Sequence, residues 1–108
     1  MTTQTILEIN MSIVLAHVFT RTHDGLYDPK EHISLAGQCP ALRLPGVLGF
    51  RVVRNTAKDM FAGEVEVESW AAMEAWEDWW QSPEADEWRE KFGKTGQFNE
   101  RITFEVHK

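Results

Sequence analysis

Four histidines and one cysteine are the side chains of this sequence best suited to proton transfer or nucleophilic attack. His17 interrupts the apolar run from Ser12 to Thr20, S-I-V-L-A-H-V-F-T. Burial on such a strand would lower its pKa by disfavouring the charged form, and a neutral imidazole near pH 7 can take up a proton. The competing reading is a core histidine with satisfied hydrogen bonds. His32 lies beside the Ile33, Ala36, Pro40 stripe of a short helix and shares a flank with Cys39, seven residues on. His17 and His32 are therefore the candidate catalytic residues. His23 and Tyr27 fall in a polar loop, where a rigid scaffold commonly carries its chemistry; with Phe19, Trp70 and Trp76 they are candidate substrate-binding residues. Cys39 as a nucleophile would need a thiolate-stabilising neighbour that the sequence does not show. The histidines have no partners at metal-ligand spacing, and no glycine-rich phosphate loop or nucleophile elbow is present, so neither metal nor cofactor is expected.

The elements that must position these residues are read from periodicity. The run Ser69 to Phe92, S-W-A-A-M-E-A-W-E-D-W-W-Q-S-P-E-A-D-E-W-R-E-K-F, has Ala72, Met73, Trp79, Trp80 and Pro83 within about 60° of Trp76 on a helical wheel. Glu74, Asp78 and Gln81 lie opposite. Ser82 reads as an N-cap with Pro83 in the first turn, so the run is one bent helix or two in series. Core packing is the ordinary role of such a tryptophan stripe.

On the first strand, Ile13, Leu15, His17 and Phe19 form one face, and Val14, Ala16 and Val18 the other. Asp28-Pro29-Lys30-Glu31 reads as a helix start with Asp28 as N-cap and Glu31 closing a capping box; Pro40 ends that helix. After the Pro45-Gly46 turn, Leu48, Phe50 and Val52 alternate with Arg51 and Val53. Phe61, Val65 and Val67 then alternate with Glu64, Glu66 and Glu68, and Ile102, Phe104 and Val106 with Arg101, Thr103 and Glu105.

The order strand, helix, strand, strand, helix, strand is the split βαβ pattern of an α+β, ferredoxin-like fold: a four-stranded antiparallel sheet with its helices on one face. Apolar faces of the second, third and fourth strands should meet the helices, as should His17. The other sheet face should carry Val14, Ala16 and Val18, flanked by Arg51, Glu64, Glu66, Arg101 and Thr103. Such a face suits a partner sheet.

Composition sets the outer bounds. The 108 residues suit one domain, read as 12–108 behind an N-terminal extension, 1–11, which is expected to be flexible. Net charge is −6, and between Glu64 and Glu90 ten acids face one base, a field that repels phosphate backbones; no nucleic-acid partner is expected. With one cysteine, no apolar run long enough to span a bilayer and no signal-like start, the chain is expected to be cytoplasmic and without a membrane partner.

Several landmarks carry a family likeness: Asp28-Pro29-Lys30-Glu31-His32, Leu44-Pro45-Gly46-Val47-Leu48-Gly49-Phe50, Val67-Glu68-Ser69-Trp70 with Ala75-Trp76, Ser82-Pro83-Glu84, and Phe92 to Phe98. Over residues 12–107 the chain resembles the dimeric α/β-barrel proteins, most closely EthD-like members and less closely the antibiotic-biosynthesis monooxygenases. The resemblance implies a homodimer with its two sheets face to face and, in each subunit, a cleft for a small apolar or aromatic metabolite. It implies cofactor-free oxygenase, isomerase or cyclase activity, or an accessory role in aromatic and polyketide metabolism. His32 falls where EthD-like chains often carry a histidine, and Trp70 matches the tryptophan opening the second helix of the monooxygenases. The heme-degrading relatives use a histidine on the second helix, absent here. The expected function is thus a small-molecule enzyme working by proton transfer or cofactor-free oxygenation. The alternatives are a non-catalytic binding protein of a natural-product or pigment pathway, for example of the prodigiosin type, and a purely structural dimer.

Overall fold

The computed structural model describes residues 11–108. In chain order it contains β1 (Met11–Thr20), α1 (Pro29–Gln38), a 3-10 turn (Pro40–Arg43), β2 (Val47–Asn55), β3 (Met60–Val67), α2 (Trp70–Trp80), α3 (Ala85–Gly93) and β4 (Gln97–His107). The strands form one antiparallel sheet in the order β2-β3-β1-β4. This is the ferredoxin-like α+β fold. Of the expected extension over 1–11, residues 1–10 lie outside the described residues, and Met11 belongs to β1, opposite His107.

Local chemistry accounts for the helix ends. Asp28 caps α1 by accepting from the Glu31 amide at 3.0 Å. The reciprocal half of the expected capping box does not form, because the Asp28 amide donates to the Thr95 carbonyl at 2.8 Å. That bond ties the start of α1 to the turn after α3. At the other end Cys39 is extended ahead of Pro40, as a residue before proline must be. Ser69 caps α2 through the Ala72 amide. The tryptophan run divides at residues 81–84, since Pro83 has no amide to continue the ladder. Ser82 is not the N-cap of α3: its hydroxyl donates back to the Trp79 carbonyl and closes the end of α2 instead.

The core lies between the sheet and the helices. Ile13, Leu15, Val65 and Val67 rise from the two central strands to meet Cys39, Ala41, Ala72, Trp76 and Trp88. Gly46 permits the tight approach of the β2 turn to α2. Its φ is +88°, and a Cβ there would stand 2.5 Å from that of Ala72.

Both edge strands depart from simple alternation, and each departure re-aims side chains. In β2 a bulge between Val47 and Gly49 sets Val47 against the core with Phe50. Leu48 is consequently 54% exposed, not on the helix side as its spacing from Phe50 suggests. In β4 the partners are Val14↔Phe104, Ala16↔Ile102 and His17↔Arg101. Ile102, Phe104 and Val106 therefore turn away from the helices, while Arg101 and Thr103 turn toward them, the reverse of the expected assignment. Alternation fixes which residues share a face; which face it is depends on pairing with β1.

The outer sheet face thus gathers Val14, Ala16 and Val18 with Ile102 and Phe104, beside the Arg51–Glu64 ion pair (2.6 Å). Ile102 and Phe104 are 38% and 49% exposed.

Trp76 is 4% exposed at the centre of the helix layer. Trp76→Ala should lower unfolding stability by about 3–5 kcal/mol, the usual cost of deleting a large core aromatic. Chemical denaturation measures it; a loss below about 1 kcal/mol would contradict this packing.

Candidate functional site

A cavity of about 560 Å³ opens between the sheet and the helices. Its walls are mainly aromatic: Phe19, Phe50, Trp76, Trp80, Phe92 and Phe98. His17 and His32 line the same cavity, one from the sheet and one from α1. Trp76, Phe19 and Cys39 line it too. His23 is exposed in the loop after β1 and does not reach it. Tyr27 is outside as well, its hydroxyl on the Met60 carbonyl (3.3 Å) and its ring edge-on to Phe61. Trp70, 46% exposed at the start of α2, also stands apart from the cavity.

His32 is held on every side. Its ring lies 4.7 Å from those of Phe19 and Phe92, 5.0 Å from Phe61 and 6.3 Å from Phe50. Its Nδ1 meets Thr95 Oγ1 at 2.9 Å, and the Thr95 hydroxyl donates to the Phe92 carbonyl at 2.7 Å. Its Nε2 sits over Gly63, where a Cβ would come within 2.7 Å. Gly63 also serves His17: its carbonyl lies 3.4 Å from His17 Nδ1. The His17 ring stands between Trp76 and Phe98, 6.2 Å from each.

Burial sets the electrostatics of the pair. Desolvation pulls His17 from 6.5 to about 4, against the Gly63 carbonyl, which favours the protonated ring; the Arg101 cation lowers it further. Desolvation likewise takes His32 to about 4, and charge on His17 pushes it down as well. Both rings are neutral at pH 7, and a proton on one opposes a proton on the other. Burial raises the Cys39 thiol, so it is no ready nucleophile.

The charged groups beside the cavity are partly exposed to solvent. Arg101 pairs with Glu77 of α2, and Arg89 donates to the Trp80 carbonyl and pairs with Asp86. Trp80 Nε1 is buried without a partner among the described residues. No group of three or more His, Cys, Asp or Glu side chains among those residues is placed to hold a metal ion, and no helix is long and apolar enough to cross a membrane.

Gly63, Thr95, Phe98 and Arg101 are site residues that periodicity misses. Gly63 had a signal, as the one gap in the apolar alternation of Phe61, Val65 and Val67. Phe98 and Arg101, three apart, reach the same side because Asn99 is bulged out between the pairs Val18↔Glu100 and Phe19↔Phe98. Nothing in the residue types announces that bulge.

Fold and site together define a ferredoxin-like protein with an apolar, histidine-lined cleft between sheet and helices. No protein-family model matches the chain, and no curated protein matches it by sequence. Solved structures do match in shape. A conserved protein from Methanosarcina mazei Go1 shares 10% identity at a TM-score of 0.62, covering 95% of this chain and 98% of that one. A protein assigned as an antibiotic biosynthesis monooxygenase, from Bordetella bronchiseptica, shares 20% identity at a TM-score of 0.60, over 92% and 97%. SnoaB, a cofactor-independent oxygenase from Streptomyces nogalater, shares 12% at 0.57, over 92% and 93%. What the chain shares with these structures is the ferredoxin-like fold.

The lowered histidines fix a pH dependence. Between pH 4 and 6.5 the unfolded chain binds protons that the folded rings refuse, so stability is whole above about pH 6.5 and is lost as pH falls toward 4. In an NMR titration the ring protons of His17 and His32 should move with midpoints well below 6.5. Midpoints at or above that value would contradict the burial described.

Proposed function

We propose that this protein is a cofactor-independent oxygenase of small aromatic or polyketide-type metabolites, in which the two histidines form the base. The observation that carries the reading is the pair of neutral imidazoles, one from the sheet and one from α1, lining a single apolar cavity. A phenol or an acidic methylene held between the aromatic walls loses a proton to one ring. Transfer onto a ring whose resting pKa is near 4 becomes favourable as the anion and imidazolium form together, because the ion pair offsets the desolvation that lowered the pKa. The substrate anion is then electron-rich enough to reduce dioxygen itself. For a methylene between two aryl rings the balance is CH2 plus O2 giving C=O plus H2O, with all four electrons supplied by the substrate. The likeness in fold to SnoaB, a cofactor-independent oxygenase, supports this reading.

The reading includes a homodimer joined through the outer sheet face, where Val14, Ala16, Val18, Ile102 and Phe104 form a continuous apolar patch. A second copy related by a two-fold axis would cover that patch with its own. Phe104→Asp should convert a dimer to a monomer in light scattering at micromolar concentration, with the cavity intact. A monomeric wild type would remove the dimer from the reading.

The activity is tested with anthrone, which has a methylene of the required kind, and an oxygen electrode. Wild type should consume oxygen and form the ketone. His17→Phe and His32→Phe, which keep a ring in place, should each lower turnover by at least about tenfold. Binding of anthrone without oxygen uptake would sink the oxygenase and leave a metabolite carrier of a natural-product or pigment pathway.

A further inference from the structure

The geometry points to a ligand rule set by the partners of the histidines: Thr95 and Gly63 hold both rings as Nδ1–H tautomers, so the cavity presents two hydrogen-bond acceptors and selects an aromatic diol over its ether or quinone. This deepens the proposed function and rests on its assignment of the cavity as the ligand site.

The tautomers follow from the partners. A backbone carbonyl only accepts, so the contact of His17 Nδ1 with the Gly63 oxygen requires a proton on Nδ1. Thr95 has one hydroxyl proton, and it is directed at the Phe92 carbonyl. Its oxygen then accepts from His32 Nδ1–H. Thr95 is 1% exposed, and the Asp28 amide on its carbonyl holds its backbone in place.

With one proton per neutral ring, both Nε2 atoms carry lone pairs. Neither has a hydrogen-bond partner among the described residues, and neither is sealed from solvent, in contrast to Trp80 Nε1. Both rings line the cavity, and the missing side chain of Gly63 keeps a carbon from clashing with His32 Nε2. A ligand that donates a hydrogen bond to each nitrogen satisfies both. A quinone or an aryl ether brings only acceptors and leaves two lone pairs facing its own. Thr95 is thus a positioning residue: it acts on the ligand through His32.

Nitrogen-15 NMR of the neutral imidazoles reads the tautomer directly, and oxygen-free titration calorimetry with naphthalene-1,4-diol, its dimethyl ether and 1,4-naphthoquinone reads the selectivity. In wild type both rings should show Nδ1–H, and the diol should bind at least about tenfold more tightly than the ether or the quinone. Thr95→Val should shift His32 toward Nε2–H and cut the preference for the diol, and Thr95→Ser should restore both. Should the valine variant not fold, wild type and the serine variant still decide the matter. An Nε2–H signal on either wild-type ring overturns the inference, as does equal binding of the three probes. Equal binding leaves the cavity a ligand site and the proposed function standing; binding of none of them, with no shift at cavity residues, overturns both.

Discussion

An imidazole taken out of water must find partners for its nitrogens or lose its place, and His32 is where this fold meets that demand. It is 4% exposed among four phenylalanine rings, which fill its surroundings and offer no hydrogen bond. The partner comes from Thr95, in the turn between α3 and β4. That turn is itself held by α1, through the Asp28 amide, and by the end of α3, through the Phe92 carbonyl. Three elements distant in sequence are thereby joined around one ring. On the far side of the ring β3 has a glycine, and the backbone that gives way there also receives the second histidine. The helix cap, the turn, the glycine and the two imidazoles form one connected arrangement, so substitution at one is felt at the others.

The cavity that results has an unusual division of polarity. Its interior is aromatic and holds two neutral rings, whereas the charges beside it are partly exposed and already paired, Arg101 with Glu77 and Arg89 with Asp86. An apolar interior strengthens any charge separation that occurs within it, and it penalises any charge that stands alone. Proton transfer inside such a space is favoured only when donor and acceptor ionise as neighbours. Reactions of free anions or free cations have no foothold.

The fold was legible because its signals are repetitive. The tryptophan stripe, the Asp28-Pro29 start and the acid-alternating β3 each repeat one rule over several residues, and a single exception does not hide it. His17 could be singled out because it breaks an apolar strand with a titratable ring and His32 because it lies beside the apolar stripe of a short helix, and the structure brings the two to one cavity. His23, Tyr27 and Trp70 were chosen by loop position and residue type, which say nothing of distance, and none of the three reaches that cavity. The orientation of β4 was lost for another reason. An edge strand with apolar residues on one side reads identically whether that side meets helices or faces outward, and only its register against β1 decides. Thr95 and Gly63 were invisible because their roles exist only beside a ring from another element.

Asn99, the residue that the β4 ladder leaves unpaired, has a consequence for how such a protein can change over evolution. Before it, Phe98 faces the cleft; beyond it, Ile102 and Phe104 face outward. Substitutions along β4 alter one surface at a time. Loss of Asn99 itself would only regularise the strand, whereas loss or gain of one residue within the paired run after it would exchange the faces beyond that point, bringing Ile102 and Phe104 over the cleft. Lineages that differ in the length of the paired run beyond the bulge can therefore be expected to differ in both ligand and assembly, while those equal in length drift in either one alone.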